Sequence, residues 1–142
     1  MSFLPGEQIS ASERTSSWTT NNSTAGALSG VIPGLQTATI TGEGHPVEIV
    51  FDALVQHPSA QGFVACYLMC NGSYTTFPAG KLASVYQGCT GSARTLIMRR
   101  TPLLVEGQEY NFQVGLYVGN VAGTAILAAS DKYPAELSVT RR

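Results

Sequence analysis

The run Phe63-Val64-Ala65-Cys66-Tyr67-Leu68-Met69-Cys70 is apolar at every position and is bounded by Gly62 and by the pair Asn71-Gly72. Eight apolar residues between turn formers are short for a helix and predict a β-strand without a polar face. A strand in a sandwich sends alternate side chains to the core and to the outside. The outward side of this one therefore needs a cover as well, and the expected cover is a second copy of the chain.

The rest of the 142 residues fits a protein that associates. Charged residues make up 12%, about half of the roughly 25% usual for a soluble domain, while hydrophobic residues are an ordinary 44%. Ser, Thr, Gly, Asn and Gln must therefore supply much of the surface. The length suits one domain. A net charge of -1, with Arg99-Arg100 and Arg141-Arg142 as isolated pairs, gives no basic stripe for nucleic acid or an anionic membrane. No apolar stretch approaches a membrane span, and Met1 to Pro5 lacks the basic region of a signal peptide. Nucleic-acid partners and membrane insertion are not expected.

Residues 1–17 are polar apart from Phe3, Leu4 and Ile9 and show no packing period, so they read as an extended arm preceding a domain over 18–142. From Trp18 onward short apolar runs alternate with Gly, Pro and Asn every eight to twelve residues or so, the rhythm of an antiparallel all-β domain. The clearest strand is Glu109 to Gly119, with Tyr110, Phe112, Val114, Leu116 and Val118 on its core face. Val47 to Val55 behaves similarly, with Val47, Ile49, Phe51, Ala53 and Val55 inward and a second face half apolar through Val50 and Leu54. Further strands are predicted over Leu35–Thr41, Thr95–Arg99, Thr124–Ala129 and Ala135–Thr140, and a weaker one over Lys81–Gln87. Asn71-Gly72 predicts a tight hairpin into Ser73–Phe77, and Pro33-Gly34 a further turn. The fold class is a two-sheet antiparallel β-sandwich of jelly-roll type.

Chemistry is sparse. His45 and His57 each sit beside a proline in a turn region, without metal-ligand spacing, and read as exposed loop residues. Cys66 and Cys70 lie on one face of one strand about 13 Å apart, beyond disulfide reach. Buried free thiols are expected there, with the pairing of Cys89 left open. Glu48 and Asp52 are similarly about 13 Å apart, too far for a glycosidase pair within the strand. No catalytic constellation, metal site or cofactor motif emerges, so a non-enzymatic role is expected. Trp18 and Tyr74 are candidate glycan contacts, against the plainer reading that Trp18 packs over the edge of the sandwich.

Phe3-Leu4-Pro5-Gly6-Glu7-Gln8-Ile9-Ser10-Ala11-Ser12 resembles the short leader of tailed-bacteriophage tail and fibre proteins, although Glu13-Arg14 stands where that leader usually has Leu-Asn. Thr95-Leu96-Ile97-Met98-Arg99-Arg100-Thr101-Pro102, Tyr110-Asn111-Phe112-Gln113-Val114 and Pro134-Ala135-Glu136-Leu137-Ser138-Val139 are similar to paired and closing strands of small phage minor tail and surface proteins. Ile32-Pro33-Gly34-Leu35 and Pro46-Val47-Glu48-Ile49 extend the likeness over nearly the whole chain. The resemblance implies a virion structural protein, a homotrimeric knob in a minor tail or fibre-like position, assembled in the host cytoplasm. Head decoration is the alternative, and a carbohydrate-binding module a further one. Its implied partners are itself, other virion proteins and a host-surface glycan or receptor. Phe3, Leu4, Pro5, Gly6 and Ile9 would attach the arm. Val50, Leu54, Val64, Cys66 and Leu68 are the expected subunit interface.

Overall fold

The computed structural model describes residues 6–22, 28–59, 61–72, 83–88, 93–119 and 121–142. Among these the chain forms strands β1 (Gln8–Arg14), β2 (Trp18–Asn22), β3 (Leu28–Gln36), β4 (Ile40–Thr41), β5 (Val47–Gln56), β6 (Phe63–Cys70), β7 (Ala83–Gly88), β8 (Arg94–Arg100), β9 (Glu109–Tyr110), β10 (Phe112–Gly119), β11 (Gly123–Ala128) and β12 (Ala135–Arg141). The larger sheet runs β1-β12-β5-β11-β2, with β8 also paired to β5; the smaller runs β3-β10-β6-β7. Residues 49–52 of β5 pair with β12 and with β8, so these two strands lie on opposite edges of β5. On the β12 side the edge is shared, because β11 takes over at Leu54–Gln56. Every ladder is antiparallel.

The alternation in β5 and β10 decides how the sheets face one another. Val47, Ile49, Phe51, Ala53 and Val55 from the larger sheet and Phe112, Val114, Leu116 and Val118 from the smaller share one buried cluster. Burying each large side chain of this kind contributes roughly 1.5–3 kcal/mol relative to exposing it. The Cys66 thiol reaches Met98 Sδ of β8 at 3.8 Å, a direct contact between the layers. Together these elements make an all-β sandwich of jelly-roll type.

The apolar β6 divides differently from the expectation. Val64, Cys66, Leu68 and Cys70 point into the core between the sheets. They cannot form a subunit interface, which corrects the assignment of Val64, Cys66 and Leu68. The other face carries Phe63, Ala65, Tyr67 and Met69, and it is largely covered within a single chain: Ala65 is 0% exposed, Met69 5%, and Tyr117 of the neighbouring β10 2%. Aromatic rings lying flat on the sheet account for part of the cover. Tyr67 stacks on Tyr117 with centroids 4.6 Å apart. The Phe63 ring lies on Gly119, its cross-strand partner, where an added Cβ would come within 2.2 Å of it. A neighbouring copy is thus not needed to hide this side.

The N-terminal boundary also shifts. Rather than a free arm, Gln8–Arg14 is an edge strand laddered to β12. Its inner side chains join the sheets by hydrogen bonds: Ser12 Oγ accepts from the Gln36 amide, Ser10 Oγ from the Ala38 amide, and Arg14 donates to the Pro33 carbonyl at 2.8 Å. Hydroxyl groups do here what apolar side chains do elsewhere, so no hydrophobic period marks the strand. Gly6 belongs to the same structure, its amide donating to the Arg141 carbonyl, and Ile9 packs on the core. Phe3, Leu4 and Pro5 lie outside the described residues.

One turn signal resolves into another device, and the other keeps its turn geometry. Pro33-Gly34 lies inside β3, where Gln36 pairs with Gln113 but Val31 with Gly115, so the extra residues bulge outward through Gly34 at φ 74°. Asn71 and Gly72 do adopt the left-handed region, at φ 53° and 81°. Asn71 is fastened by its side chain to Asn111 and Glu109, and the strand paired with β6 opposite β10 is β7. Ser73–Phe77 lies outside the described residues.

Candidate functional site

Of the expected interface residues, Val50 and Leu54 remain available. They are half-buried on the outer face of the larger sheet, on the opposite side of the sandwich from the outer face of β6. Trp18 packs against the core, its ring 3.2 Å from where a Cβ on Gly30 would stand, which matches the edge-packing reading. Tyr74 lies outside the described residues.

The outer face of the larger sheet has two distinct ends. At one end β8 runs on past Arg100 with its alternation intact: Pro102 and Leu104 turn inward, while Leu103 and Val105 are 58% and 52% exposed; Ile97, 46% exposed, stands opposite Asp52 toward the other end. Leu103 bridges Pro46, and the Arg142 amide donates to the Pro46 carbonyl. The Leu103-Val105 pair therefore sits beside Gly6 and Arg142. Large aliphatic side chains exposed in this way invite a reason, because the segment bearing them is firmly held.

That segment forms a clasp with residues 41–47. Backbone hydrogen bonds run from Gly42 to Gln108, Gly44 to Leu104, Leu104 to His45, Val47 to Pro102, and Gly107 to Gly42. The Tyr110 hydroxyl accepts from the Val105 amide at 3.0 Å and donates to Gln108 Oε1. Gly42 is needed for close approach, since a Cβ there would stand 2.1 Å from the Val105 carbonyl oxygen. Beside the clasp Arg141 bridges Glu7 and Glu43 at 3.1 and 3.3 Å, and Glu48 lies between Arg99 and Arg142. The outcome is a rigid apolar tip in a charge-balanced frame.

The far end of the same face is about 25 Å away, eight residues along β5 and β8 at strand spacing. There Asp52, Leu54, Thr95, Lys132, Tyr133 and Glu136 line an open groove of about 220 Å³. Tyr133 is 58% exposed. Glu13, Glu136 and Asp52 stand in one cross-strand row over β1, β12 and β5. Among the described residues no group of three His, Cys, Asp or Glu side chains is placed to hold a metal ion.

His57 is a correction. It is 2% exposed rather than a surface loop residue. The Ser59 amide donates to Nδ1 at 3.0 Å, so the ring proton belongs on Nε2, which donates to the Val121 carbonyl at 2.9 Å. Gly62 and Gly123 supply the room: a Cβ on Gly62 would lie 2.5 Å from the ring. His45 is exposed, as expected. Cys66 and Cys70 are buried thiols, and burial pushes the Cys70 thiol pKa up. Cys89 lies outside the described residues.

These features define a β-sandwich protein with an exposed aliphatic tip and an open groove on one sheet face. No protein-family model and no curated protein sequence matches the chain. Among solved structures, the chain is similar to one in the structure of infectious bursal disease virus, Gx strain, at TM-score 0.51 and 8% identity over 97% of this chain. It spans 38% of that viral chain. A carbohydrate-binding module of Cellvibrio mixtus lichenase 5A, solved with cellotriose, aligns at TM-score 0.41 and 13% identity over 97% of this chain and 92% of the module. The first likeness is one of fold.

Proposed function

We propose that the chain is a non-enzymatic virion structural protein, a sandwich knob that docks on a larger particle through the Leu103-Val105 end. The observation that carries this reading is the exposed aliphatic pair on a hydrogen-bonded clasp. A surface poor in charge and a rigid apolar tip suit a fixed contact, because little side-chain or loop entropy is lost on docking. The resemblance of Phe3 to Ser12 to a phage leader supports the same end as the point of attachment, since Gly6 lies beside Arg141 there. The sandwich fold shared with the viral chain is compatible with a virion component. A minor tail or fibre-like position is the reading favoured by the leader, and head decoration its alternative.

The expected homotrimer is kept within this proposal with a different contact. The clasp ends, rather than the outer faces of β6, gather about the axis, with Val50 along the side of the contact. Closed cyclic symmetry would then leave the far ends pointing away from the attachment point. Sedimentation equilibrium at micromolar concentration tests this, a trimer of the 15.0 kDa chain being expected. A monomer for both the purified chain and Leu103→Asp/Val105→Asp would remove self-association from the proposal. Density at capsid three-fold positions in a particle map would favour decoration over the tail.

A further inference from the structure

We infer that the groove at the far end of the larger sheet is a saccharide site, taking one neutral hexopyranose unit of a glycan with Tyr133 as its platform. The inference concerns a different surface from the docking end and does not rest on the virion reading.

Tyr133 is a large ring on a short, fixed turn. The Ser130 amide donates to the Tyr133 carbonyl, and the Tyr133 amide donates to Ser130 Oγ at 3.1 Å. The backbone that presents the ring is therefore set before any ligand arrives, which lowers the ordering cost of binding. An aromatic with an apolar face and a polar edge suits a pyranose, whose own faces are C–H and whose rim is hydroxyl. Leu54 supplies an apolar floor beside it.

Hydroxyl groups arriving over this ring need acceptors and find them. Asp52 and Glu136 are direct cross-strand partners on β5 and β12, so their Cβ atoms stand about 5 Å apart, and a carboxylate accepts two or more hydrogen bonds. Lys132 and Thr95 offer donors at the rim, the ammonium lying 5.7 Å from the Tyr133 ring centroid. At about 220 Å³ the groove falls below the ~300–1,000 Å³ of sites for drug-sized ligands. Its size fits a single ring, and its openness lets the remaining chain of a glycan run out over the sheet.

Charge selects among sugars. Glu13 extends the carboxylate row beyond Glu136, so a sialylated or uronic ligand would meet like charge. A basic peptide is the competing occupant, but Lys132 at the rim of the groove sets like charge against it.

The test is amide NMR of the purified full chain titrated with glucose, galactose and mannose and with their trisaccharides, with sialyllactose and an arginine-rich peptide as the contrasting probes. The expected result is a saturable response to at least one neutral sugar that moves the amides of Asp52, Thr95 and Lys132 to Glu136. Affinity should fall about tenfold or more in Tyr133→Ala and in Glu136→Gln, and Tyr133→Trp should retain it. Silence with every neutral sugar, a stronger response to the peptide or to sialyllactose, or undiminished binding by Tyr133→Ala would each overturn the inference. Incorporation of Tyr133→Ala into particles, measured separately, tests the docking proposal and stands apart from either result.

Discussion

Replacing Gly42 by alanine puts the clasp under the most direct strain available. Gly42 has no left-handed φ, so alanine is compatible with its backbone, and the cost is one of crowding alone. The new Cβ would stand 2.1 Å from the Val105 carbonyl oxygen and 2.9 Å from its carbon, both backbone atoms that cannot rotate away. Overpacking of this kind costs about 1–3 kcal/mol. Opening the clasp also weakens the hydrogen bonds from Gly42 to Gln108 at 2.8 Å and from Gly107 to Gly42 at 2.9 Å, at about 1 kcal/mol each. Against this, alanine stiffens the unfolded chain by about 0.5 kcal/mol. The net loss should be about 2.5–4.5 kcal/mol, or roughly 8–15 °C in Tm for a domain of this size. Gly107→Ala is the internal control: it has φ +82° and open space around it, so it should cost only the roughly 1–2 kcal/mol of a left-handed alanine. Urea unfolding of both variants separates the two causes. A Gly42→Ala protein within about 0.5 kcal/mol of wild type, or one less affected than Gly107→Ala, would refute the argument that close backbone contact holds the tip rigid.

Three further outcomes follow from the same geometry. His57→Ala removes a buried ring and strands the Ser59 amide and the Val121 carbonyl, so chemical denaturation should show a loss of about 2–4 kcal/mol, and His57→Phe, which restores bulk but not the bonds, should not recover it. Cys66 and Cys70 should resist a polar thiol reagent in the folded chain at neutral pH, reacting only as fast as the domain opens, because both are buried and the Cys70 thiol pKa is raised; rapid labelling of either would contradict their place in the core. Gly119→Ala should displace the Phe63 ring and destabilise the chain by about 1–3 kcal/mol, and most of that loss should vanish in a Phe63→Ala background, as a thermal-melt double-mutant cycle would show.

The fold was legible wherever side-chain period alone decided it. Val47 to Val55 and Tyr110 to Val118 announce their core faces, and all ten expected inward residues are in the core. Strand β1 was not legible, because Ser10, Ser12 and Arg14 join the sheets by hydrogen bonds, and polar residues in such a place look like a solvated arm. The two sides of Phe63 to Cys70 could not be told apart by hydrophobicity, since the core side and the ring-covered side are equally apolar. The pairing of Phe63 with Gly119 and of Tyr67 with Gly115 distinguishes them, and it depends on register with β10. His57 was misplaced for a similar reason: its burial depends on Gly62 and on Gly123, the latter far away in sequence. The site was partly legible. Leu103 and Val105 continue the alternation of β8 beyond Pro102, a signal present in the chain but hidden by the proline. Tyr133 lies in a polar loop and becomes visible as a platform only when β5 and β12 bring Asp52 and Glu136 beside it.

Docking through the clasp is tested most directly by an electron cryomicroscopy map of the virion on which this chain is proposed to sit. A sandwich-sized density is expected to touch the particle through residues 101–108, with Leu103 and Val105 in the contact and the Tyr133 groove facing outward. Contact through the Tyr133 end, with Leu103 and Val105 left in solvent, would contradict it.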